Sequence, residues 1–62
     1  MDNKQEQLAM LMYDNYCDAV GGKAFNGDDL PKSKEFFSDP SKQKQADGWR
    51  VAAGSAISFL YP

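Results

Sequence analysis

The 62-residue sequence has no histidine and no threonine, one cysteine (Cys17), one arginine (Arg50), one isoleucine and two valines. A lone cysteine excludes an intrachain disulfide, and without histidine a Cys/His zinc site is excluded too. The missing histidine also removes any Ser–His or Cys–His nucleophile–base pair, so general-base work would fall to carboxylates or lysine. Scarce β-branched residues argue against a sheet. No run approaches the ~20 apolar residues that span a bilayer. The polar, mixed-charge segment Met1–Gln7 lacks the basic-then-apolar order of a signal peptide. The expectation is a cytoplasmic protein with no membrane association and no cofactor.

Net charge is also small. Seven Lys+Arg against nine Asp+Glu give a net charge of −2. That is neither the basic footprint of a nucleic-acid binder nor the dense acidity of a DNA mimic. A chain this short buries only roughly 60% of the surface its unfolded form exposes. Its stability must come from tight helix packing, self-association or both.

What is present reads as all-α: two long antiparallel helices with a short one between them, a three-helix mini-bundle forming a single domain over residues 1–62. In the first helix, about 3–20, Leu8, Leu11, Met12, Tyr16 and Ala19 recur at intervals of three and four, beside a second stripe of Ala9, Tyr13, Cys17 and Val20. Asp2 or Asn3 can cap its start, and Gly21-Gly22 ends it because glycine tolerates the left-handed closing conformation. Residues 21–29 form a loop around the turn dipeptide Asn26-Gly27, with Phe25 expected to tie it to the core. Leu30-Pro31 opens a short helix, about 31–37, in which Phe36 and Phe37 cannot both point inward. Ser38 or Asp39 caps a third helix of about 40–60, with Pro40 at its first position. Its inward stripe is Ala46, Trp49, Ala53, Ala56, Ile57 and Leu60, while Lys42, Lys44, Asp47 and Arg50 face solvent. Small residues Gly48, Ala52, Gly54 and Ser55 would let the first helix approach. The expected core is Leu8, Met12, Tyr16, Trp49, Ala53 and Ile57.

Few constellations carry chemistry. Cys17 lies mid-helix on the apolar side, where burial makes a thiol inert. Asp14 and Asp18, at i and i+4, read as a solvated face, and Asn26-Gly27-Asp28-Asp29 lacks the ligand order of an EF-hand. Lys32, Lys34, Lys42 and Lys44 could attract an anion, but Glu35, Asp39 and Asp47 dilute their field. With Arg50 the only arginine, a DNA-reading helix is not supported. The chain reads as no enzyme and no nucleic-acid binder.

Aromatic residues supply the strongest functional hint. They make up 13% of the chain, more than one small core can hold, and exposed Tyr, Phe and Met typify binding patches. The expected partner-binding set is Tyr13, Phe37, Phe59 and Tyr61, with Lys32 and Lys34 at its rim.

The pattern Tyr13-x-x-Tyr16-Cys17-x-Ala19-x-Gly21, followed by Lys23-Ala24-Phe25-Asn26-Gly27-Asp28-Asp29-Leu30-Pro31 and by Asp39-Pro40-Ser41-Lys42-Gln43-Lys44-Gln45-Ala46-Asp47-Gly48-Trp49, resembles small uncharacterised helical proteins of bacteriophages and prophages. More distantly it is similar to phage proteins that resemble the ryanodine-receptor repeat domain. The likeness covers about residues 8–57. Where those proteins often carry an aromatic after the Leu-Pro entry, this chain has Lys32-Ser33-Lys34. The resemblance implies a non-enzymatic accessory protein in the bacterial host cytoplasm that binds and modulates a bacterial protein. Two alternatives stand beside it. One is a sensor of nucleotide-like ligands, with Tyr13 and Tyr16 stacking a base and Lys23, Lys32 or Lys34 meeting a phosphate. The other is a self-associating structural protein, such as a homodimer joined along the small residues of the last helix.

Overall fold

A computed structural model describes residues 4–61. Three α-helices account for most of them: α1 (Lys4–Ala19), α2 (Ser33–Ser38) and α3 (Gln43–Leu60), with a 3-10 turn, Pro40–Lys42, leading into α3. The described residues contain no strand, only a single antiparallel bridge between Lys23 and Asp29. The chain is all-α.

Each helix end has a local cause. The cap expected at Asp2 or Asn3 lies outside the described residues. At the other end of α1, Gly21 and Gly22 take positive φ of 73° and 75°. The Gly22 N–H reaches the Cys17 carbonyl at 2.7 Å and the Gly21 N–H reaches that of Asp18 at 3.1 Å. This is the paired hydrogen bonding that lets glycine close a helix. Before α3, the Asp39 carboxylate accepts from the Ser41 N–H at 2.9 Å and the Ser41 hydroxyl at 2.8 Å. Those bonds tighten residues 40–42 into a 3-10 turn, so regular α-helix begins at Gln43 and not at Pro40. They also hold the Asp39 carboxyl below its ordinary pKa.

The core centres on Tyr13. Ala9, Tyr13, Phe36, Phe37, Ala46 and Ala53 are buried, and Leu8, Met10, Met12, Cys17 and Trp49 pack against them half-buried. Phe36 stacks on Tyr13 with ring centroids 4.3 Å apart and planes at 16°. Phe37 and Trp49 meet the same ring edge-on at 5.8 and 5.7 Å. The Tyr13 hydroxyl donates to the Pro31 carbonyl at 2.7 Å, so the one polar atom of the ring is satisfied. Burial is the main cause that pushes its phenol pKa well above the ordinary value.

This corrects several expectations. Of the two stripes on α1, the one carrying Ala9, Tyr13 and Cys17 faces the core, whereas Leu11 and Tyr16 are 55% and 45% exposed. Ala9 is fully buried in the same cluster as Ala53, and Tyr13 has the Pro31 carbonyl as an acceptor in reach. Tyr16 is therefore not a core residue, although its ring tilts against Trp49 at 5.5 Å. Tyr13 and Phe37, expected on a binding surface, are buried. Phe36 and Phe37 both point inward: their rings meet each other at 5.4 Å, and Tyr13 takes Phe36 face-on and Phe37 edge-on. In α3, Ala46 and Ala53 are buried, Trp49, Ala56 and Ile57 are half-buried, and Leu60 is exposed. Of the two glycines in α3, Gly54 meets α1: a Cβ there would stand 2.8 Å from the Gln5 side-chain nitrogen, whereas one at Gly48 would meet nothing.

Arg50 is the second correction of consequence. Expected in solvent, it is half-buried and joins all three helices. Its guanidinium makes two hydrogen bonds to Glu6 of α1, at 2.7 and 3.0 Å. It donates at 3.3 Å to the Phe37 carbonyl of α2, and at 3.1 and 2.7 Å to Gln43 and Asp47 of α3. Its cation also lies 5.3 Å from the centre of the Phe37 ring. Hydrogen bonding from Arg50 holds the Glu6 carboxyl below its ordinary pKa, and hydrogen bonding to Glu6 first, then Asp47, raises that of Arg50.

Candidate protein-binding surface

The segment between α1 and α2 is a loop fixed by its own hydrogen bonds. The Ala24 N–H donates to the Asp28 carbonyl at 2.7 Å, the Gly27 N–H to Ala24 at 2.9 Å, and the Leu30 N–H to Gly22 at 2.9 Å. Asn26 bends the tip: its side-chain oxygen accepts from the Asp28 N–H at 3.1 Å, and its amide donates to the Asp28 carboxylate at 3.1 Å. This is the local turn chemistry that favours asparagine at such positions. Gly27 follows at φ 91°. A Lys23–Asp29 ion pair closes the base of the loop.

These bonds leave Phe25 at the tip of the turn, more exposed than the reference state for the residue at 109%. The expected anchoring role is therefore reversed. Residues 23–29 supply enough hydrogen bonds to hold the loop without a hydrophobic plug, and Phe25 points away from the core. Lys32 and Lys34, also exposed, follow the loop in sequence and lie at the entry to α2. A cleft of about 420 Å³ separates the loop from the helices, lined on one side by Asn26, Asp28 and Asp29 and on the other by Phe36, Lys42 and Gln45. Its acids outnumber its lysine, a poor setting for a phosphate.

The other expected binding residues lie elsewhere. Phe59 and Tyr61, 85% and 77% exposed, are at the far end of α3. Phe59 is nine residues past Arg50, about 14 Å along the helix. The structure places Phe59 and Tyr61 at the end of α3 and Lys32 and Lys34 at the start of α2, and it buries Tyr13 and Phe37. With Tyr13 enclosed by three rings, no base can stack on it, and Lys23 is committed to Asp29. Among the described residues, no three His, Cys, Asp or Glu side chains are grouped so as to hold a metal ion. Nor is any described helix long and apolar enough to cross a membrane. The loop signal was partly legible, since Asn26-Gly27 marks a turn, but nothing in the local sequence indicates the direction Phe25 takes.

The fold and this surface define a small helical protein with an ordered, aromatic-tipped loop. No protein-family model matches the chain, and no curated protein or solved structure is detectably similar to it.

Proposed function

We propose that this chain is a non-enzymatic binding protein that docks on and modulates a bacterial protein in the bacterial cytoplasm, an accessory factor of the phage type its sequence resembles. The observation that carries this reading is Phe25, wholly exposed on a loop whose backbone is already hydrogen-bonded in place. An aromatic presented this way loses little conformational entropy when it enters a pocket, and such anchors dominate interface energies. Lys32 and Lys34 would steer an acidic rim. The absence of histidine removes Ser–His and Cys–His pairs, and Cys17 is half-buried against the core. The architecture that goes with this reading is the mini-bundle, with α1 and α3 antiparallel and α2 covering one end. It is supported by Gln5 lying against Gly54 while Tyr16 lies against Trp49.

The test uses the chain as immobilised bait in bacterial lysate. Wild type retains a specific bacterial protein, and Phe25→Ala, which touches no packed side chain, loses it at least tenfold. Equal retention by both baits would remove Phe25 from the interface, and no retention by either would sink the reading. A sensor of nucleotide-like ligands has less support, since Tyr13 is buried and Lys23 is paired.

A further inference from the structure

Two places in the sequence set an amide or carboxylate side chain directly before glycine, Asn26-Gly27 and Asp47-Gly48. Such pairs are chemically labile, because no Cβ shields the glycine nitrogen from the side-chain carbonyl carbon of the residue before it. The fold treats the two pairs in opposite ways. Asp47 and Gly48 lie inside α3, where the helix ladder holds the Gly48 N–H. The Asp47 carboxylate, a poor electrophile, is also bonded to Arg50 at 2.7 Å. Asn26 instead carries a neutral amide on an irregular loop, and both it and Gly27 are exposed. Its side-chain oxygen accepts from the Asp28 N–H at 3.1 Å, so the side chain folds back across the Gly27 peptide. That bond also draws electron density from the amide carbon, as a donor aimed at a developing oxyanion does. No atom lies within 4 Å of where a Gly27 Cβ would be, which leaves water free access.

We propose that Asn26 is a site of spontaneous covalent modification, deamidating through a succinimide, and that the product undoes the loop. The Gly27 nitrogen, once its proton has gone to solvent, forms a bond to the side-chain carbonyl carbon of Asn26. The bond from that carbon to Nδ2 then breaks, and the nitrogen takes a proton from solvent and leaves as ammonia. Water next opens the ring. Attack at the side-chain carbonyl gives aspartate, and attack at the main-chain carbonyl gives isoaspartate, whose main chain runs through the side-chain carbons. Nothing is oxidised or reduced, since one water enters and one ammonia leaves. One restraint opposes the first step: the Gly27 N–H donates to the Ala24 carbonyl at 2.9 Å. The reaction therefore runs from the fraction of molecules in which this turn bond is open. Either product loses the bond from the Asn26 amide to the Asp28 carboxylate, at 3.1 Å, and sets a second carboxylate in its place. Isoaspartate further lengthens the main chain by one carbon, which shifts the Ala24–Asp28 bond out of register. The loop chemistry is the same with or without a partner for Phe25, so this inference does not rest on the proposed binding function.

Peptide mapping of protein held for days in warm, mildly alkaline buffer tests it, on folded wild type, wild type in urea, and Asn26→Gln. Tryptic peptide 24–32 carries Asn26, and peptide 5–23 carries Asn15, which is exposed but sits in α1 ahead of Tyr16. The expected result is the mass gain of amide to acid in peptide 24–32, at least tenfold faster than in peptide 5–23. It should appear as two products, with isoaspartate the larger. Unfolding in urea should speed the conversion several-fold by freeing the Gly27 N–H. Asn26→Gln should stay unconverted in peptide 24–32, because the glutamine ring closes far more slowly. The purified isoaspartate product should keep wild-type helicity by circular dichroism while its Ala24 and Gly27 amides lose their protection from hydrogen exchange. An Asn26 that stays intact in the folded protein, conversion to aspartate alone, equal rates with and without urea, or a product with wild-type loop protection would overturn the inference.

Discussion

The two ends of this small molecule are built differently. At one end α2 lies across α1 and α3, and four aromatic rings close on one another with the Arg50 network alongside. At the other, Gly54 of α3 faces Gln5 in the first turn of α1, and Phe59, Leu60 and Tyr61 beyond it are exposed. Both ends use the same 16- and 18-residue helices. What differs is the presence of a third layer. Six residues of α2 are enough to make a core where they lie, and without them two helices cannot cover their own apolar surface.

Substitutions at the two ends should separate these roles. Phe36→Ala leaves a cavity beside Tyr13 and is expected to cost about 3–5 kcal/mol, against a total stability of about 3–9 kcal/mol for a chain this long. Thermal denaturation followed by circular dichroism should show Phe36→Ala largely unfolded at 25 °C. Phe59→Ser at the opposite end should change the stability of the chain by less than about 0.5 kcal/mol. If the two variants melted alike, the contrast between the ends would fail.

The Arg50 network should give the intermediate effect. Arg50→Met removes the hydrogen bonds that join α1, α2 and α3 and is expected to cost about 1–3 kcal/mol. The cost is modest because the Glu6 side chain is 40% exposed and water screens the pair. Glu6 also sets a pH dependence. Its folded-state pKa lies below the ordinary 4.5, so its contribution is fully present above that value and is lost as pH falls through the lower folded value. Urea titrations below pH 4.5 should show wild type losing stability as acid is added, and Glu6→Gln losing less over the same window. Parallel slopes for the two proteins would mean that the Glu6–Arg50 pair does not stabilise the fold.

Much of the fold was legible because it is written locally. Helical spacing, the double glycine after α1 and the Asp39-Pro40 start each act within a few residues, and the structure places elements at all of them. What the sequence did not disclose depends on contacts between distant residues. Two apolar stripes lie side by side on α1, and the inward one is picked out by the partners of Tyr13: the Pro31 carbonyl, Phe36 and Trp49, which lie 18, 23 and 36 positions away. Arg50 read as surface because its partner Glu6 is 44 residues away. The Asn26-Gly27 turn could be seen, but the outward direction of Phe25 follows from backbone hydrogen bonds that no single dipeptide encodes. For the candidate sites, the aromatic surplus correctly implied exposed rings. Its assignment to Tyr13 and Phe37 failed because the ring cluster absorbs both.

Residue-resolved amide hydrogen exchange tests the two-ended account most directly. The account predicts slow exchange from Tyr13 to Cys17 and from Ala46 to Ala53. Exchange from Gly54 to Leu60 should be fast. Uniform protection along α3 would contradict it.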